Sequence, residues 1–528
     1  IDPENTSVMY AGAATGGIFK TTDNGLSWNP VFDDQPFLSI GAITIDPQNT
    51  NRIWAGTGDK NISGYCYTGN GIYLSEDGGT TWINKGLAPQ FIIAEIVVDP
   101  TNAQVVYAAT MGNPFDRDEN RGLYKTVDGG ETWQQILYLS DDSGIIDLVM
   151  SPEDAQVLYA ASFNRIRTNE DIVAEGDEAG IWKTTDGGDT WTQLTNGLPT
   201  GILSRIGICM YPQNPDILYS VVTDTTYYIK GVYKTIDGGD SWNALPIETL
   251  PNSVYSGFGW YFGGVYVNPD NPDQVYITGV DSYTMTDGAT WQPITPPWWE
   301  YVVHADSHDL EFVDGNRIIL CTDGGIYRSS DNGVSWMDID NIAVNQCYHV
   351  IEHPTIPEEY RVGVQDNGTS RGNLSGFNNW ERLYGGDGFQ ARVNPEDPDI
   401  SYAETQYGGL VYDITGLFFY EDFTEGIDPE DRAGWDMPLL MGAQDPYTMY
   451  CATQRVYKME FAPFGTWEPI SGDLSDGLDE WFDLVHVITT LGESPVNGEI
   501  LYAGTGDGNV WVTLNGGSNW SNITSGLP

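Results

Sequence analysis

A twelve-residue pattern recurs along the chain and constrains its fold more than any other feature. A complete copy, GLYKTVDGGETW, runs from Gly122 to Trp133. The other copies share an alternating apolar stretch, an Asp-containing turn and a final Trp, and they end at Trp28, Trp82, Trp191, Trp242 and Trp336, with a shortened copy ending at Trp291. A copy ending at Trp520 carries Asn515 in place of the Asp. Such regular self-similarity predicts a repeat architecture.

Each copy predicts a strand, a tight loop and a second strand. Alternating apolar and polar residues followed by a Gly-containing turn are typical of a hairpin. In the loop, an Asp carboxylate can accept hydrogen bonds from nearby amides, while Gly supplies the left-handed backbone conformation. The Trp then offers a large apolar surface to a neighbouring sheet.

A full unit contains four short strands. Residues 38–86 hold the stretches LSIGAITIDP, RIWAGTGD, GIYLSEDG and TTWINKG in succession. Four antiparallel strands in each period of about 45–58 residues are typical of a propeller blade. Eleven units can be counted, and the first lacks its innermost strand. We therefore predict an all-β chain of about eleven propeller blades, arranged as two tandem propellers, with one ten-bladed ring as the alternative.

The repeats change in character along the chain. They are regular up to residue 340 and degenerate afterwards, where RGNLSGFNNW and RVYKMEFAPFGTW keep the Trp but lose the Asp loop. We predict a first propeller over residues 1–340. Residues 341–528 are predicted to form part of a second propeller, which we expect to be incomplete at its C-terminal end.

The repeated motif resembles the Asp-box, Ser/Thr-x-Asp-x-Gly-x-Thr/Ser-Trp, of bacterial-neuraminidase-type repeats. This family includes sialidases, two-propeller xyloglucanases and sortilin-type receptor domains. The resemblance implies that ligands bind near the propeller axis, on the face opposite the Asp-box loops. Because so many copies of one motif cannot all be catalytic, we interpret the motif carboxylates as structural; they are Asp23, Asp77, Asp128, Asp186, Asp237, Asp287 and Asp331.

The charge balance excludes some partners. The chain has 75 Asp and Glu against 22 Lys and Arg, a formal net charge of −53. Such a surface repels nucleic acid and anionic membrane. No apolar stretch is long enough to span a bilayer. The remaining partners are polysaccharide or protein at the cell surface, or a further copy of the chain, so we expect an extracellular or cell-surface protein.

Candidate catalytic and sugar-binding residues fall in the loops of the implied ligand face. Glycoside hydrolysis needs two carboxylates on opposite sides of the scissile bond. The candidates are Asp323, Asp366 and Asp387. Trp260, Trp298 and Trp299 can stack on sugar rings or simply pack the loops, and the polar candidates beside them are Gln365, Asn367 and Gln406.

A metal site is a further hypothesis. The run HADSHD supplies His304, Asp306 and His308, which are ligand types suited to a transition metal. On an extended strand, residues four apart are separated by about 13 Å, so one ion can bind both His side chains only if the backbone bends. A polar network between blades is the favoured alternative. We expect no required cofactor, with calcium as an option near Asp116, Asp118 and Glu119 or at Asp141–Asp142.

Three functions remain open. The leading expectation is a non-catalytic module that binds glycan or protein. The first alternative is a polysaccharide hydrolase of the xyloglucanase type, although the opening motif around the catalytic Asp of those enzymes is not visible in the sequence. The second is a sortilin-like peptide receptor. Whether the chain is an enzyme is left open; if it is one, a glycoside hydrolase is expected.

Overall fold

The computed structural model describes residues 1–64, 66–168, 172–300, 302–339, 341–376, 379–477 and 486–526. Within these residues, the sheets comprise ten four-stranded sheets, one three-stranded sheet and one two-stranded hairpin. Neighbouring strands in every sheet are antiparallel and follow one another in sequence, as in a propeller blade. The prediction of an all-β propeller chain is confirmed.

The chain divides into two compact units, Ile1–Val344 and Asn345–Pro528. Unit 1 holds seven of the blade sheets, and unit 2 holds four. The two units agree with tandem propellers, and not with the alternative of one ten-bladed ring.

Unit 1 contains blades 1 to 7, and the strands of each blade run in sequence order from the inner strand outwards. Blade 1 has Met9–Ala13, Gly17–Thr21 and Asn29–Pro30; blade 2 has Ile40–Ile45, Ile53–Thr57, Ile72–Ser75 and Ile83–Asn84; blade 3 has Ile93–Val98, Val106–Thr110, Gly122–Thr126 and Gln134–Leu137; blade 4 has Ser143–Met150, Leu158–Asn164, Gly180–Thr184 and Thr192–Leu194. Blade 5 has Ile206–Met210, Leu218–Thr223, Ile229–Thr235 and Asn243–Leu245; blade 6 has Val265–Val267, Val275–Ile277, Tyr283–Met285 and Trp291–Pro293; blade 7 has Ser307–Phe312, Ile318–Thr322, Gly325–Ser329 and Met337–Asp338. A hairpin of Ile166–Arg167 and Ile172–Val173 is inserted in blade 4.

Unit 2 continues with blades 8 to 11. Blade 8 has Cys347–Glu352, Glu359–Val364, Gly368–Asn373 and Trp380–Tyr384; blade 9 has Ala391–Val393, Ser401–Thr405, Gly409–Asp413 and Glu421–Asp422; blade 10 has Leu439–Met441, Met449–Ala452, Val456–Met459 and Glu468–Pro469; blade 11 has Ile488–Ser494, Asn497–Thr505, Val510–Thr513 and Ser521–Asn522. The helical segments are short 3-10 turns at Ala88–Gln90, Asn252–Val254, Trp298–Glu300, Gln406–Gly408 and Thr524–Gly526. The described part of the chain has no helix that is both long and apolar enough to cross a bilayer.

Unit 1 closes on itself through its first and last blades. Trp28 and Phe19 of blade 1 share a buried hydrophobic cluster with Ile319 and Ile326 of blade 7. The Trp28 indole N–H donates a 2.8 Å hydrogen bond to the backbone carbonyl of Ile339. This contact joins residues 311 positions apart, so it makes unit 1 a closed ring of seven blades.

The Asp-box loops show why the motif repeats. In blade 3, Asp128 accepts hydrogen bonds from the Thr126 hydroxyl, the Thr132 amide and the Thr132 hydroxyl at 2.7, 2.9 and 2.6 Å. These bonds hold the pKa of Asp128 low, at about 2. The Trp133 indole then donates to the Lys85 carbonyl of the preceding blade at 2.8 Å. The Asp128 carboxylate therefore closes its own hairpin, and the Trp133 indole joins adjacent blades.

The inner strands carry a recurring irregularity at the face opposite the Asp-box loops. The pairing with the second strand shifts register at the start of several inner strands, including those of blades 2, 3, 7 and 8. A β-bulge turns a side chain away from its regular direction and is common beside active sites. In blade 7 the extra residue is His308.

Candidate active site

In unit 1, Asp306, His308 and Asp323 lie together at the start of blade 7. His308 is the bulge residue of Ser307–Phe312, and Asp323 directly follows the paired strand Ile318–Thr322. His308 Nε2 lies 2.8 Å from Asp323 Oδ1. Burial acts to lower the pKa of His308, but the Asp323 carboxylate outweighs it and the pKa is raised. The raised pKa favours a protonated His308 beside Asp323.

Asp306 lies beside this pair in a less polar setting. One of its carboxylate oxygens is within 4.8 Å of an oxygen of Asp323. Burial, reinforced by the negative charge of Asp323, raises the pKa of Asp306 to about 6. Its backbone is in the left-handed region, with φ 60°, a conformation that is costly for a residue other than Gly. A carboxyl group with a raised pKa beside a second carboxyl group is suited to acid–base catalysis.

Aromatic and polar side chains fix the position of His308. Its ring stacks on Phe262 at 5.4 Å and meets the edge of Tyr261 at 4.7 Å. On the other side, Asn61 Nδ2 lies 3.4 Å from His308 Nδ1. The Asn61 carbonyl in turn accepts a 2.7 Å hydrogen bond from the buried guanidinium of Arg205. Sequence reasoning missed Asn61 and Arg205, because they lie far from blade 7 in sequence.

The predicted metal ligands are arranged as a hydrogen-bonded group. His304 Nδ1 lies 3.0 Å from the Ala305 carbonyl, and His308 Nε2 faces Asp323. A Cβ at Gly324 would lie only 2.2 Å from the His304 ring, so the loop after Asp323 packs closely on His304. This arrangement favours the polar network over the metal, and a metal at His304, Asp306 and His308 stays a prediction.

The predicted calcium positions also have protein partners. Asp118 accepts hydrogen bonds from the Asn113 amide at 2.8 Å and from the Asn120 side chain at 2.7 Å. Arg117 lies 4.0 Å from Asp141 and 3.9 Å from Asp142. Calcium binding stays a prediction.

The predicted sugar-stacking residues differ in accessibility. The Trp260 ring lies under the Arg165 guanidinium, 4.5 Å from its centroid, with that of Arg167 at 5.8 Å. Cations at this distance occupy a ring face, so Trp260 packs against the part of blade 4 that carries Arg165 and Arg167. Trp299 is 60% exposed, and Phe258 is exposed as well. The side chain of Trp298 lies outside the described set.

In unit 2, Asp366 and Asp387 have different roles. Asp387 is only 3% exposed, and its carboxylate accepts a 2.9 Å hydrogen bond from the Asp366 amide. This bond holds Asp366 in the left-handed region, with φ 58°. Asp366 is thus more accessible than Asp387, and the buried Asp387 carboxylate supports the loop that carries Asp366. The catalytic role predicted for these residues stays a prediction.

The polar candidates of unit 2 lie at the ends of second strands. The Asn367 side chain donates to the Gln365 carbonyl at 3.1 Å. Gln406 begins the short 3-10 turn Gln406–Gly408. A second polar group of unit 2, containing His349 and Asp436, was missed because its members are 87 residues apart.

Comparisons with known proteins place this architecture among Asp-box propellers. Residues 70–200 match the family model described as "Sortilin, neurotensin receptor 3". A xyloglucanase from a Paenibacillus species is 25% identical over 56% of this chain and 30% of its own length. Xyloglucanase Xgh74A from Acetivibrio thermocellus is 24% identical over 57% of this chain and 37% of its own length. The matches thus span about a third of these relatives.

Solved structures show the same fold. The GH74 xyloglucanase from Xanthomonas campestris aligns with a TM-score of 0.68 and 15% identity, covering 99% of this chain and 78% of that chain. The Niastella koreensis GH74 enzyme aligns with a TM-score of 0.65 and 17% identity, with the same coverage. The resemblance to sortilin-type and xyloglucanase-type propellers is confirmed.

These matches correct the leading functional expectation. The expectation of a non-catalytic binding module is wrong, because curated relatives and a solved structure with the same fold are xyloglucanases. Sequence reasoning gave too much weight to the structural role of the repeated Asp residues. That role does not exclude chemistry on the opposite face, and the kind of enzyme supported is a glycoside hydrolase.

Proposed function

We propose that the protein is an extracellular glycoside hydrolase that cleaves a neutral polysaccharide of the xyloglucan class. The observation that carries the proposal is the carboxyl pair of Asp306 and Asp323, in which burial raises the pKa of Asp306 to about 6 and Asp323 lies 2.8 Å from His308. The similarity to xyloglucanases supplies the substrate class. The strongly acidic chain is compatible with an uncharged polymer.

Asp306 is the general acid in this proposal. Its pKa of about 6 leaves a substantial protonated fraction at mildly acidic pH. Asp306 donates its proton to the glycosidic oxygen as the bond between that oxygen and the anomeric carbon breaks. The departing sugar leaves as a neutral alcohol, so no unstable alkoxide forms.

Asp323 is the partner carboxylate. The His308 imidazole lies 2.8 Å from its Oδ1, and the carboxylate stabilises the positive charge that develops at the anomeric carbon. A water molecule completes the reaction by adding to the anomeric carbon while its proton passes to the Asp306 carboxylate, which restores the general acid. The aromatic contacts of His308 with Phe262 and Tyr261 keep the imidazole in place during these steps.

Exposed aromatic residues of unit 1 supply the binding surface. Trp299 and Phe258 occupy the connections that lead into blades 7 and 6, on the same side of unit 1 as the carboxyl pair. An exposed indole can stack on the apolar face of a pyranose ring. Trp299 is therefore the proposed stacking residue. Trp260 has a structural role because Arg165 covers it.

A polysaccharide screen tests the proposal. The full chain is incubated with tamarind xyloglucan, barley mixed-linkage glucan and galactomannan, and released reducing ends are measured. We expect xyloglucan cleavage, with at least about a hundredfold lower kcat for Asp306→Asn and Asp323→Asn. Asp366→Asn and Asp387→Asn test the predictions in unit 2.

Asp240→Asn is the matched control. Asp240 is an exposed residue of an Asp-box loop, on the opposite face of unit 1, so its replacement should leave the rate unchanged. Equal product from wild type, Asp306→Asn and Asp323→Asn would remove both residues from the mechanism. No product from any polysaccharide would contradict the proposed activity.

A further inference from the structure

A polar group of unit 2 lies apart in sequence from all the candidate residues of unit 1. His349 Nε2 lies 2.6 Å from Asp436 Oδ2. Gln390 Nε2 lies 2.8 Å from the same His349 nitrogen and donates to Asp436 Oδ1 at 3.2 Å. Arg392 donates to Gln390 Oε1 at 2.8 Å, which fixes the orientation of the amide. The side chains of His349 and Asp436 are 36% and 35% exposed, so the group is open to a ligand.

An aromatic wall borders this polar group. Trp435 directly precedes Asp436, and its indole N–H donates to the Tyr348 hydroxyl at 3.3 Å. The Tyr407 ring meets Trp435 edge to face at 5.1 Å and is 53% exposed. Phe389 supports Trp435 from behind, with ring centroids 5.8 Å apart. An aromatic surface beside oriented hydrogen-bonding groups is the composition of a small-ligand site.

A buried carboxyl group holds the two loops of this group together. Glu404 is fully buried, and it accepts hydrogen bonds from the Met437 amide at 2.6 Å and the Gln390 amide at 3.3 Å. Burial raises the pKa of Glu404 well above its usual value, with the nearby Asp436 charge adding to the effect. Glu404 thus ties together the segments that carry Gln390 and Asp436.

The backbone conformation also fixes the position of Tyr407 beside the aromatic wall. This residue is held at φ 57° and ψ 35°, the left-handed region that a bulky side chain rarely adopts. Its amide donates to the Trp435 carbonyl at 3.2 Å, which keeps the strained turn against the aromatic wall. The turn therefore holds the exposed Tyr407 ring beside Trp435.

We infer that His349, Gln390, Asp436, Tyr407 and Trp435 form a binding site for a neutral sugar ring in unit 2. The aromatic wall contacts the apolar face of the ring, while the half-exposed side chains of Asp436 and His349 bind neighbouring hydroxyl groups. A cation is disfavoured because His349 and Gln390 already cover the Asp436 carboxylate. The negative charge of the Asp436 carboxylate disfavours an anion. The choice of xyloglucan as the probe rests on the proposed function.

Replacing Tyr407 by Gly tests the site without the usual risk of unfolding. Gly adopts positive φ without strain, so Tyr407→Gly should keep or raise the melting temperature while removing the ring. Affinity for xyloglucan, measured by affinity electrophoresis at low temperature, should fall about tenfold. His349→Gln and Asp436→Asn should also weaken binding, because each alters the hydrogen bonds offered to the hydroxyl groups.

Phe461→Gly is the matched control. Phe461 also has a positive φ, of 61°, and is 77% exposed in unit 2, but it belongs to the loop between the outer strands of blade 10. Its replacement should leave affinity unchanged. Wild-type affinity in Tyr407→Gly, or an equal loss in Phe461→Gly, would overturn the inference.

The outcomes separate this site from the proposed hydrolysis. If xyloglucan is cleaved and Tyr407→Gly keeps the wild-type KM, the binding site is wrong and the hydrolase stands. If xyloglucan binds without being cleaved and Tyr407→Gly binds weakly, the site stands and the hydrolase is wrong. If the wild type neither binds nor cleaves xyloglucan, both are contradicted.

Discussion

Replacing Trp28 tests how unit 1 is closed. The Trp28 indole is buried between blades 1 and 7, and its N–H bonds to the Ile339 carbonyl at 2.8 Å. Trp28→Phe keeps an aromatic ring but leaves that carbonyl without its donor, which costs about 1–3 kcal/mol. Trp28→Ala also removes the packed ring, and we expect a cost of about 3–5 kcal/mol.

Hydrogen exchange measures this cost where it acts. Amides in Gly17–Thr21 and Gly325–Ser329 lie in the two blades that Trp28 joins. A cost of about 1–3 kcal/mol should speed their exchange about 5- to 150-fold in Trp28→Phe, and Trp28→Ala should exceed that. Trp299→Phe is the control, because Trp299 is largely exposed. Unchanged exchange in both Trp28 variants would refute ring closure through this contact.

Three further predictions follow from single contacts. The pKa of Asp128 in the folded state is depressed to about 2. The Asp128 carboxylate should therefore stabilise the folded state fully above the ordinary pKa of an Asp side chain, and this stabilisation should be lost as the pH falls through about 2. Melting curves of Asp128→Ala and wild type should therefore converge in strong acid, whereas Asp128→Asn should lose less stability because Asn515 makes two of the three corresponding loop bonds. Gly324→Ala places a methyl group against the His304 ring, so it should lower kcat on xyloglucan, and a wild-type rate would contradict the close packing. Trp299→Ala should raise KM severalfold with little change in kcat; an unchanged KM would exclude stacking on this indole.

The fold could be predicted because its determinants are local. Asp128, Thr126 and Thr132 interact within one hairpin, so seven residues of sequence contain the whole interaction. The Trp at the end of each motif also indicated contact between blades, because a large apolar side chain at a fixed place in every repeat needs a neighbouring sheet to cover it. The repetition of these short signals then predicted the sheets and their antiparallel order.

The candidate sites could be predicted only in part, because their contacts are non-local. The sequence placed Asp306, His308 and Asp323 on one face of blade 7, but not the pairing of His308 with Asp323. Trp260 could stack on sugar or pack the loops, and only the structure shows that Arg165, which lies far from it in sequence, covers its ring. Nothing in the local sequence around either residue indicates this contact.

The central claim is that a protonated Asp306 drives glycoside hydrolysis, and the pH dependence of kcat/KM on xyloglucan tests it most directly. This quantity reports the ionisation of the free enzyme. With Asp306 titrating at about pH 6, we predict that kcat/KM falls about tenfold for each pH unit above that point, while circular dichroism shows an intact fold. A value of kcat/KM that stays constant well into the alkaline range would contradict the assignment.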